Sequence, residues 1–354
     1  MKQLQLTLAS LIFALVTQTP YAAGQPEGVV YSANEGDNSI SEIELGNPTV
    51  RTTKVPIVPH NVQVTPDGKA LLAVGMPVSS HAMHDMNGMR PMETGAQGDM
   101  HEKEPQGNLL VIDPHRLDRI LATLPAGHHP AHVVMDLSGK RAYITSSEDN
   151  QVTVVDIGQR RVVGTVPTGA FPHGLRLSPD SRELYVANVA DNSVSVIDTR
   201  SLTEAARIPV GRAPVQVGFT PDGKRVYVSL RDDNQVAVID TTTRRVTSRI
   251  PVGRNPIQVY VTPDGSKVYV ANQGSGSDPD NRVSVIDVAS GQLMDTVVTG
   301  AGAHGVVASS DGTSVFVTNT RDNTVSAIDT GTQRVIATYD VGSNPNGITY
   351  RALR

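Results

Sequence analysis

A repeat of 42 residues constrains the fold of this chain more than any other feature. Four glycines follow one another at this spacing, a fifth comes 47 residues later and a sixth after another 42: Gly127, Gly169, Gly211, Gly253, Gly300 and Gly342. One aromatic side chain per unit keeps the same spacing: Tyr143, Tyr185, Tyr227, Tyr269 and Phe316. A repeat of this length predicts a domain built by stacking one small structural unit many times.

Each unit divides into four short segments rich in β-branched residues. In the unit from Gly211 to Val252, turn signals separate these segments: Pro-Asp-Gly at 221–223, Asp-Asp-Asn at 232–234 and Asp-Thr-Thr-Thr at 240–243. The third segment is apolar at every position, which is typical of a strand covered on both faces. Four strands in about 42 residues are typical of one blade of a β-propeller.

Counting the units predicts seven blades. Five begin at the glycines from Gly127 to Gly300, and a sixth, near residues 56–126, carries an insertion. The seventh is divided between the chain ends, because 28–57 holds three strands and 343–354 holds the missing first strand. We therefore expect an all-β, seven-bladed propeller whose ring is closed by the N-terminal strands and the C-terminal strand in one blade, which leaves no open sheet edge.

The repeat resembles the YVTN family of β-propeller repeats. The residues that carry the resemblance are Tyr185-Val186-Ala187-Asn188, Tyr269-Val270-Ala271-Asn272 and Phe316-Val317-Thr318-Asn319. It covers residues 28–350 and implies a propeller distantly similar to the propeller domains of nitrous oxide reductase and haem d1 nitrite reductase. Because the family is functionally mixed, the resemblance implies no particular activity.

The N-terminus predicts an exported protein. Lys2 precedes an apolar run of 11 residues from Leu6 to Val16, and Tyr21-Ala22-Ala23 follows. The run is too short to span a bilayer and is typical of a signal peptide. We expect a signal peptide at 1–23, a single domain at 24–354 with no membrane insertion, and a periplasmic or secreted location.

Composition excludes several kinds of site. The chain has no cysteine, so it has no disulfide, no thiolate ligand and no attachment site for c-type haem. It contains no phosphate-cradling loop, which argues against a nucleotide cofactor. The net charge of -5 provides no global attraction to nucleic acid, which is a disfavoured partner.

Residues that recur in blade after blade are expected to serve the fold. The repeated tyrosine predicts core packing. An aspartate ends each third strand and predicts a turn cap rather than a metal ligand; these aspartates are Asp113, Asp156, Asp198, Asp240, Asp287 and Asp329.

Histidines occur where the repeat does not need them, at the start of the innermost strands. His60, His173 and His304 share one register, His132 lies one residue later in its own blade, and His129 precedes it. These starts line one mouth of the central channel, where clustered imidazoles can bind a metal or an anion. The alternative is that they are hydrated rim residues.

The insertion at 76–107 opens on the same face, between the second and third strands of its blade. It holds six of the nine methionines and lengthens its unit to 71 residues. Its thioether and imidazole side chains suit Cu(I); the candidate ligands are Met76, His81, Met83, His84, Met86, Met89, Met92, Met100 and His101. The alternatives are a docking surface for a protein partner and no specific role.

Basic residues on this face form a candidate anion site. Neighbouring aspartates favour ordinary neutralisation as the alternative. The arginines are Arg212, Arg231, Arg254 and Arg321.

Three functions follow from these features. The leading prediction is a non-enzymatic binding protein that captures Cu(I) through the loop and the channel histidines, with copper as its one cofactor. The second is an interaction module for a protein or polymer. The third is a lactonase-like hydrolase, or a binder of anions or single-stranded nucleic acid. The sequence has no GxSxG motif and no nucleophile and base at a fixed spacing, so it favours a protein that is not an enzyme.

Overall fold

The computed structural model describes residues 27–78 and 105–353. The predicted signal peptide and positions 79–104 of the insertion lie outside these ranges. Among the described residues the secondary structure is β-strand apart from two single-turn 3₁₀ helices, Glu35–Asp37 and Arg231–Asp233. None of the helices in these ranges is long and apolar enough to cross a membrane.

Three strands lead into the first complete blade. They are β1 (Val29–Asn34), β2 (Ser39–Glu44) and β3 (Thr49–Lys54). Six four-stranded blades follow: β4 (Ile57–Val64), β5 (Leu71–Pro77), β6 (Asn108–Asp113) and β7 (Arg116–Pro125); β8 (Pro130–Met135), β9 (Arg141–Ser146), β10 (Gln151–Asp156) and β11 (Arg161–Pro167); β12 (Pro172–Leu177), β13 (Glu183–Asn188), β14 (Ser193–Asp198) and β15 (Thr203–Pro209); β16 (Pro214–Phe219), β17 (Arg225–Leu230), β18 (Gln235–Asp240) and β19 (Arg245–Pro251); β20 (Pro256–Val261), β21 (Lys267–Gly274), β22 (Pro279–Asp287) and β23 (Gln292–Val298); β24 (Ala303–Ala308), β25 (Ser314–Asn319), β26 (Thr324–Asp329) and β27 (Arg334–Asp340). A last strand, β28 (Pro345–Arg351), ends the described chain.

The seventh blade joins the two ends of the chain, as predicted. Its strands run in the order β28-β1-β2-β3, with β28 antiparallel to β1. Side chains reinforce the closure, because Arg351 donates to the Tyr31 hydroxyl, which itself donates to the carbonyl of Pro114 in the next blade. The prediction of a closed seven-bladed propeller is therefore confirmed.

Blade contacts explain the sequence signature of the repeat. In β13, the Asn188 amide donates to Ser193 Oγ at 3.0 Å and to Ser195 Oγ at 2.9 Å. The blade glycine packs against this amide, since a Cβ at Gly169 would lie 2.7 Å from Asn188 Nδ2. Because no real Cβ makes so close a contact, a glycine is needed wherever this asparagine is present, as it is in four blades.

The repeated residues serve the core and the turns, as expected. The side chains of Tyr185 and Tyr269 are fully buried between blades, as are those of the equivalent aromatics. The strand-ending aspartates accept backbone N–H groups; Asp240 Oδ1, for example, accepts from Thr243 N at 2.7 Å. Both predictions are confirmed.

Replacing Asn188 tests the contribution of this amide to stability. In Asn188→Ala two buried hydroxyl groups lose a hydrogen-bond partner and a small cavity opens, so we expect a loss of about 2 kcal/mol in the free energy of unfolding. Urea titration followed by circular dichroism measures the loss. Ser201→Ala, in an exposed turn, is the control, and an equal effect of both changes would contradict the prediction.

Candidate functional site at the channel mouth

The innermost strands of the seven blades surround the channel, and their first residues meet at one mouth. Each of these strands is irregular at its start. The register slips between Pro59 and Asn61 in β4, and between Pro172 and Leu175 in β12. Such bulges re-aim side chains that strict alternation would send to opposite faces. The start of every innermost strand can therefore present successive side chains to the mouth.

Three imidazoles from consecutive blades meet there. His60 lies on β4, His132 on β8 and His173 on β12, and one potential ligand atom from each lies within 4.8 Å of the others. His60 Nε2 is 3.2 Å from His173 Nε2. The ring centroids of His132 and His173 are 4.8 Å apart, and those of His60 and His132 are 5.6 Å apart. We call this group the histidine trio.

A carboxylate holds the first member of the trio. Glu35 forms a close hydrogen bond with His60 Nδ1, and its side chain is 15% exposed. Burial by itself raises the pKa of Glu35, but the charge and hydrogen bond of His60, together with Asn346, hold it below its usual value. Glu35 is therefore ionised at neutral pH and fixes the orientation of the His60 ring.

The other two imidazoles are neutral at physiological pH. Burial holds the pKa of His132 and that of His173 well below the usual value, and the neighbouring imidazoles lower both further. His173 Nδ1 lies 3.3 Å from the carbonyl oxygen of Val215. His132 is 1% exposed, and its Nε2 has no hydrogen-bond partner.

Arg176 is a second residue, besides Glu35, that sequence reasoning missed. It lies on β12, and its charge acts on both His132 and Tyr260. It is half-buried and donates to the carbonyl of Leu175. Desolvation lowers its pKa, and it forms no ion pair with any residue in the described part of the chain. The sequence held a signal, because the equivalent positions of the following blades are Gly218 and Tyr260, which are uncharged.

The remaining predicted histidines lie around the trio. His304, on β24, is 6% exposed, and its Nδ1 has no partner. The pKa of His129 is lowered by burial, and its ring lies against Phe171. His128 is bonded to Asp149 through Nδ1 at 2.7 Å. The channel mouth therefore holds more imidazoles than the trio, but among the described residues only the trio comes together.

The four arginines proposed as an anion site have partners of their own. Arg212 lies 2.6 Å from Asp233, and Arg231 lies 2.8 Å from Asp232. Arg254 pairs with Asp278, and Arg321 donates weakly to the carbonyl of Gly276 at 3.5 Å. Anion binding by these residues stays a prediction.

The insertion opens beside the trio. Pro77, at the end of β5, pairs with Ile57, three residues before His60. Met76 lies within β5 and is half-buried. The other candidate copper ligands lie outside the described residues: His81, Met83, His84, Met86, Met89, Met92, Met100 and His101.

Comparisons with known proteins point to propellers of two families. A model of the seven-bladed lactonase propellers matches residues 117–253, and a model of the YNCE-like propellers matches 227–352. A search of the curated proteins found no match.

Solved structures of similar fold cover nearly the whole chain. Hydrazine synthase of Kuenenia stuttgartiensis is 19% identical, with a TM-score of 0.67, over 83% of this chain and 90% of that one. A functionally unknown protein of Desulfotomaculum acetoxidans DSM 771 is 14% identical, with a TM-score of 0.72, over 93% and 100%. A "putative 6-phosphogluconolactonase" of Bacteroides fragilis NCTC 9343 is 13% identical, with a TM-score of 0.68, over 94% and 99%. At these identities the likeness shows the fold alone.

These findings overturn the leading prediction from the sequence. The match of residues 117–253 to the lactonase propellers favours a lactonase-like propeller, so the prediction of a non-enzymatic Cu(I) carrier is wrong. The described residues bring together three imidazoles and a carboxylate, a set of groups that can activate water for hydrolysis.

The pH dependence of stability tests the burial of His304. Burial, with the charge of His60 next in size, lowers its pKa to about 4. Between the usual value of about 6.5 and 4, the unfolded chain binds a proton that the folded chain does not, so acid destabilises the fold. Relative to His304→Gln, wild type should lose on the order of 3 kcal/mol between pH 7 and pH 4. Urea unfolding across this range measures the difference, and parallel pH profiles would contradict the prediction.

Proposed function

Since the chain is a seven-bladed repeat β-propeller related to the lactonase and YNCE-like propellers, we propose that it is a lactonase-like hydrolase acting at the channel mouth. The substrate class is a cyclic ester. Water adds to the acyl carbon, the bond to the ring oxygen breaks, and the product is a hydroxy acid. One observation carries the proposal: a carboxylate-held imidazole, His60, faces two neutral imidazoles in a buried polar site.

The trio supplies the groups that activate water. Because the Glu35 carboxylate accepts a hydrogen bond from His60 Nδ1–H, the lone pair of Nε2 points toward the other imidazoles. Depressed pKa values keep His132 and His173 uncharged, and neutral imidazoles can take a proton from water or polarise it. The proton released in the attack returns to the ring oxygen as it leaves.

Arg176 supplies a positive charge on β12, further along this innermost strand than His173 and so deeper in the channel. A half-buried guanidinium without a carboxylate partner among the described residues attracts an anionic group of the substrate. We therefore propose that lactones bearing a carboxylate or a phosphate are preferred to neutral ones. The Bacteroides protein, whose description names a phosphorylated lactone, agrees with this substrate class.

A second candidate function has weaker structural support. The face that carries the trio also carries the insertion, and a protein or polymer partner could dock there. Because no described contact identifies a partner, the hydrolase is the function that the geometry supports best.

Hydrolysis by the trio is tested with purified full-length protein and a panel of five- and six-membered lactones. Proton release, followed with a pH indicator, should show turnover by wild type. His60→Asn removes the oriented imidazole, and we expect it to lower kcat by about 100-fold or more. His128→Asn, which changes a histidine on the same face but outside the trio, should keep wild-type activity. Absence of turnover across the panel, or equal turnover by His60→Asn, would contradict the proposal.

The role of Arg176 is tested by comparing a phosphorylated lactone with its neutral counterpart. Loss of a hydrogen bond between charged groups costs about 1.5–3 kcal/mol, so Arg176→Gln should raise KM for the anionic lactone by about tenfold or more. KM for the neutral lactone should change little. If both values rise together, Arg176 contributes to the shape of the channel and not to charge recognition.

A further inference from the structure

Nε2 of His60 and Nε2 of His173 face each other across 3.2 Å. His60 Nδ1 pairs with the Glu35 carboxylate, which only accepts, so this nitrogen carries the hydrogen. His173 Nδ1 lies 3.3 Å from the Val215 carbonyl, which also only accepts. A neutral imidazole has a single N–H, so when both rings are neutral their Nε2 atoms present lone pairs to each other.

Two lone pairs at this distance repel each other unless a cation lies between them. A metal ion fits the spacing: two nitrogens each about 2.05 Å from Zn²⁺, at the tetrahedral angle, lie about 3.3 Å apart. The observed separation of 3.2 Å is close to this value.

His132 completes the set from a third blade. Its Nε2 is buried and has no partner among the described residues, and an unpaired buried polar atom is costly. Its Nδ1 makes only a long contact of 3.5 Å to the Gln216 amide. A metal ion bound between the three rings would satisfy the unpaired nitrogen.

Groups around the trio match the outer shell of known metal sites. Metal-bound imidazoles usually donate their second N–H to a carboxylate or a backbone carbonyl. Glu35 and the carbonyl of Val215 supply these two acceptors for His60 and His173. The Glu35 charge also offsets that of the cation, whereas the positive Arg176 lies deeper in the channel.

We propose that His60, His132 and His173 bind a divalent transition-metal ion, with Zn²⁺ as the reference ion. Three protein ligands leave the fourth position open to water at the channel mouth, as in catalytic zinc sites. Metal binding stands on the geometry of the trio alone. Its role in lowering the pKa of a bound water, and so supplying the nucleophile, rests on the proposed function.

Zinc binding is measured by calorimetry on metal-stripped, full-length protein. We expect one ion to bind at the trio. The double variant His132→Asn/His173→Asn should abolish this binding, and Glu35→Gln, which removes only the negative charge of the outer-shell group, should weaken it by about 10–100-fold. His128→Asn should bind as wild type does. Co²⁺ provides an independent readout, because a tetrahedral site gives it an intense visible absorption that the double variant should lack.

The loop histidines require a matched control, since they could also bind zinc. In His81→Asn/His84→Asn/His101→Asn the binding that depends on the trio should persist. If this loop variant loses zinc while the double variant of the trio keeps it, the proposed site is wrong. Circular dichroism melting curves of all variants exclude loss by unfolding.

The test of metal binding and the test of hydrolysis can fail independently of each other. Zinc bound at the trio without turnover of any lactone would refute the proposed function and leave the metal site standing. Turnover that is unchanged by chelation, in protein that binds no zinc at the trio, would refute the metal site and leave the hydrolase standing.

Discussion

The pairing of β28 with β1 is the contact on which the rest of the structure depends. It completes the seventh blade and leaves every blade with two neighbours, so the ring is closed. A closed ring of seven blades fixes the width of the channel, and that width decides which side chains can meet across it. The trio exists because three consecutive blades bring the starts of their innermost strands to one rim.

Most of the fold could be predicted from the sequence because repetition multiplies weak signals. Any one Tyr-Val-x-Asn segment is ambiguous, but recurrence at 42 residues identifies it as part of a blade. The structure adds the reason for the spacing: the asparagine amide joins two strands, and the blade glycine packs on that amide. This contact is repeated in four blades, and in each of them the two residues occur together.

The site could be predicted only in part. The sequence located His60, His132 and His173 at one mouth, but their register placed His132 one residue out of step with the other two. Bulges at the strand starts remove this difference, and a bulge has no clear signal in a single sequence. Side-chain rotamers decide the final distances, and they depend on neighbours from other blades.

Glu35 could have been identified as a site residue from the sequence. It follows the second strand of its blade, and the equivalent positions elsewhere are not acidic: Ser147, Val189, Arg231, Gln273 and Thr320. A carboxylate that appears once at a channel-facing position departs from the repeat in the same way as the histidines do. Comparing blades position by position would have placed it beside His60.

The interpretation as a Cu(I) carrier failed because composition was given more weight than position. Methionines are numerous in the insertion, but the structure brings together a different set of donors in the part of the chain that it describes. Residues that recur in all blades hold the ring together, whereas those that break the repeat at the channel mouth are free to serve chemistry. Here they place a carboxylate-held imidazole on one side of the opening and a half-buried guanidinium deeper in the channel. This separation of charge favours a substrate with a reactive acyl group at the rim and an anionic group below it.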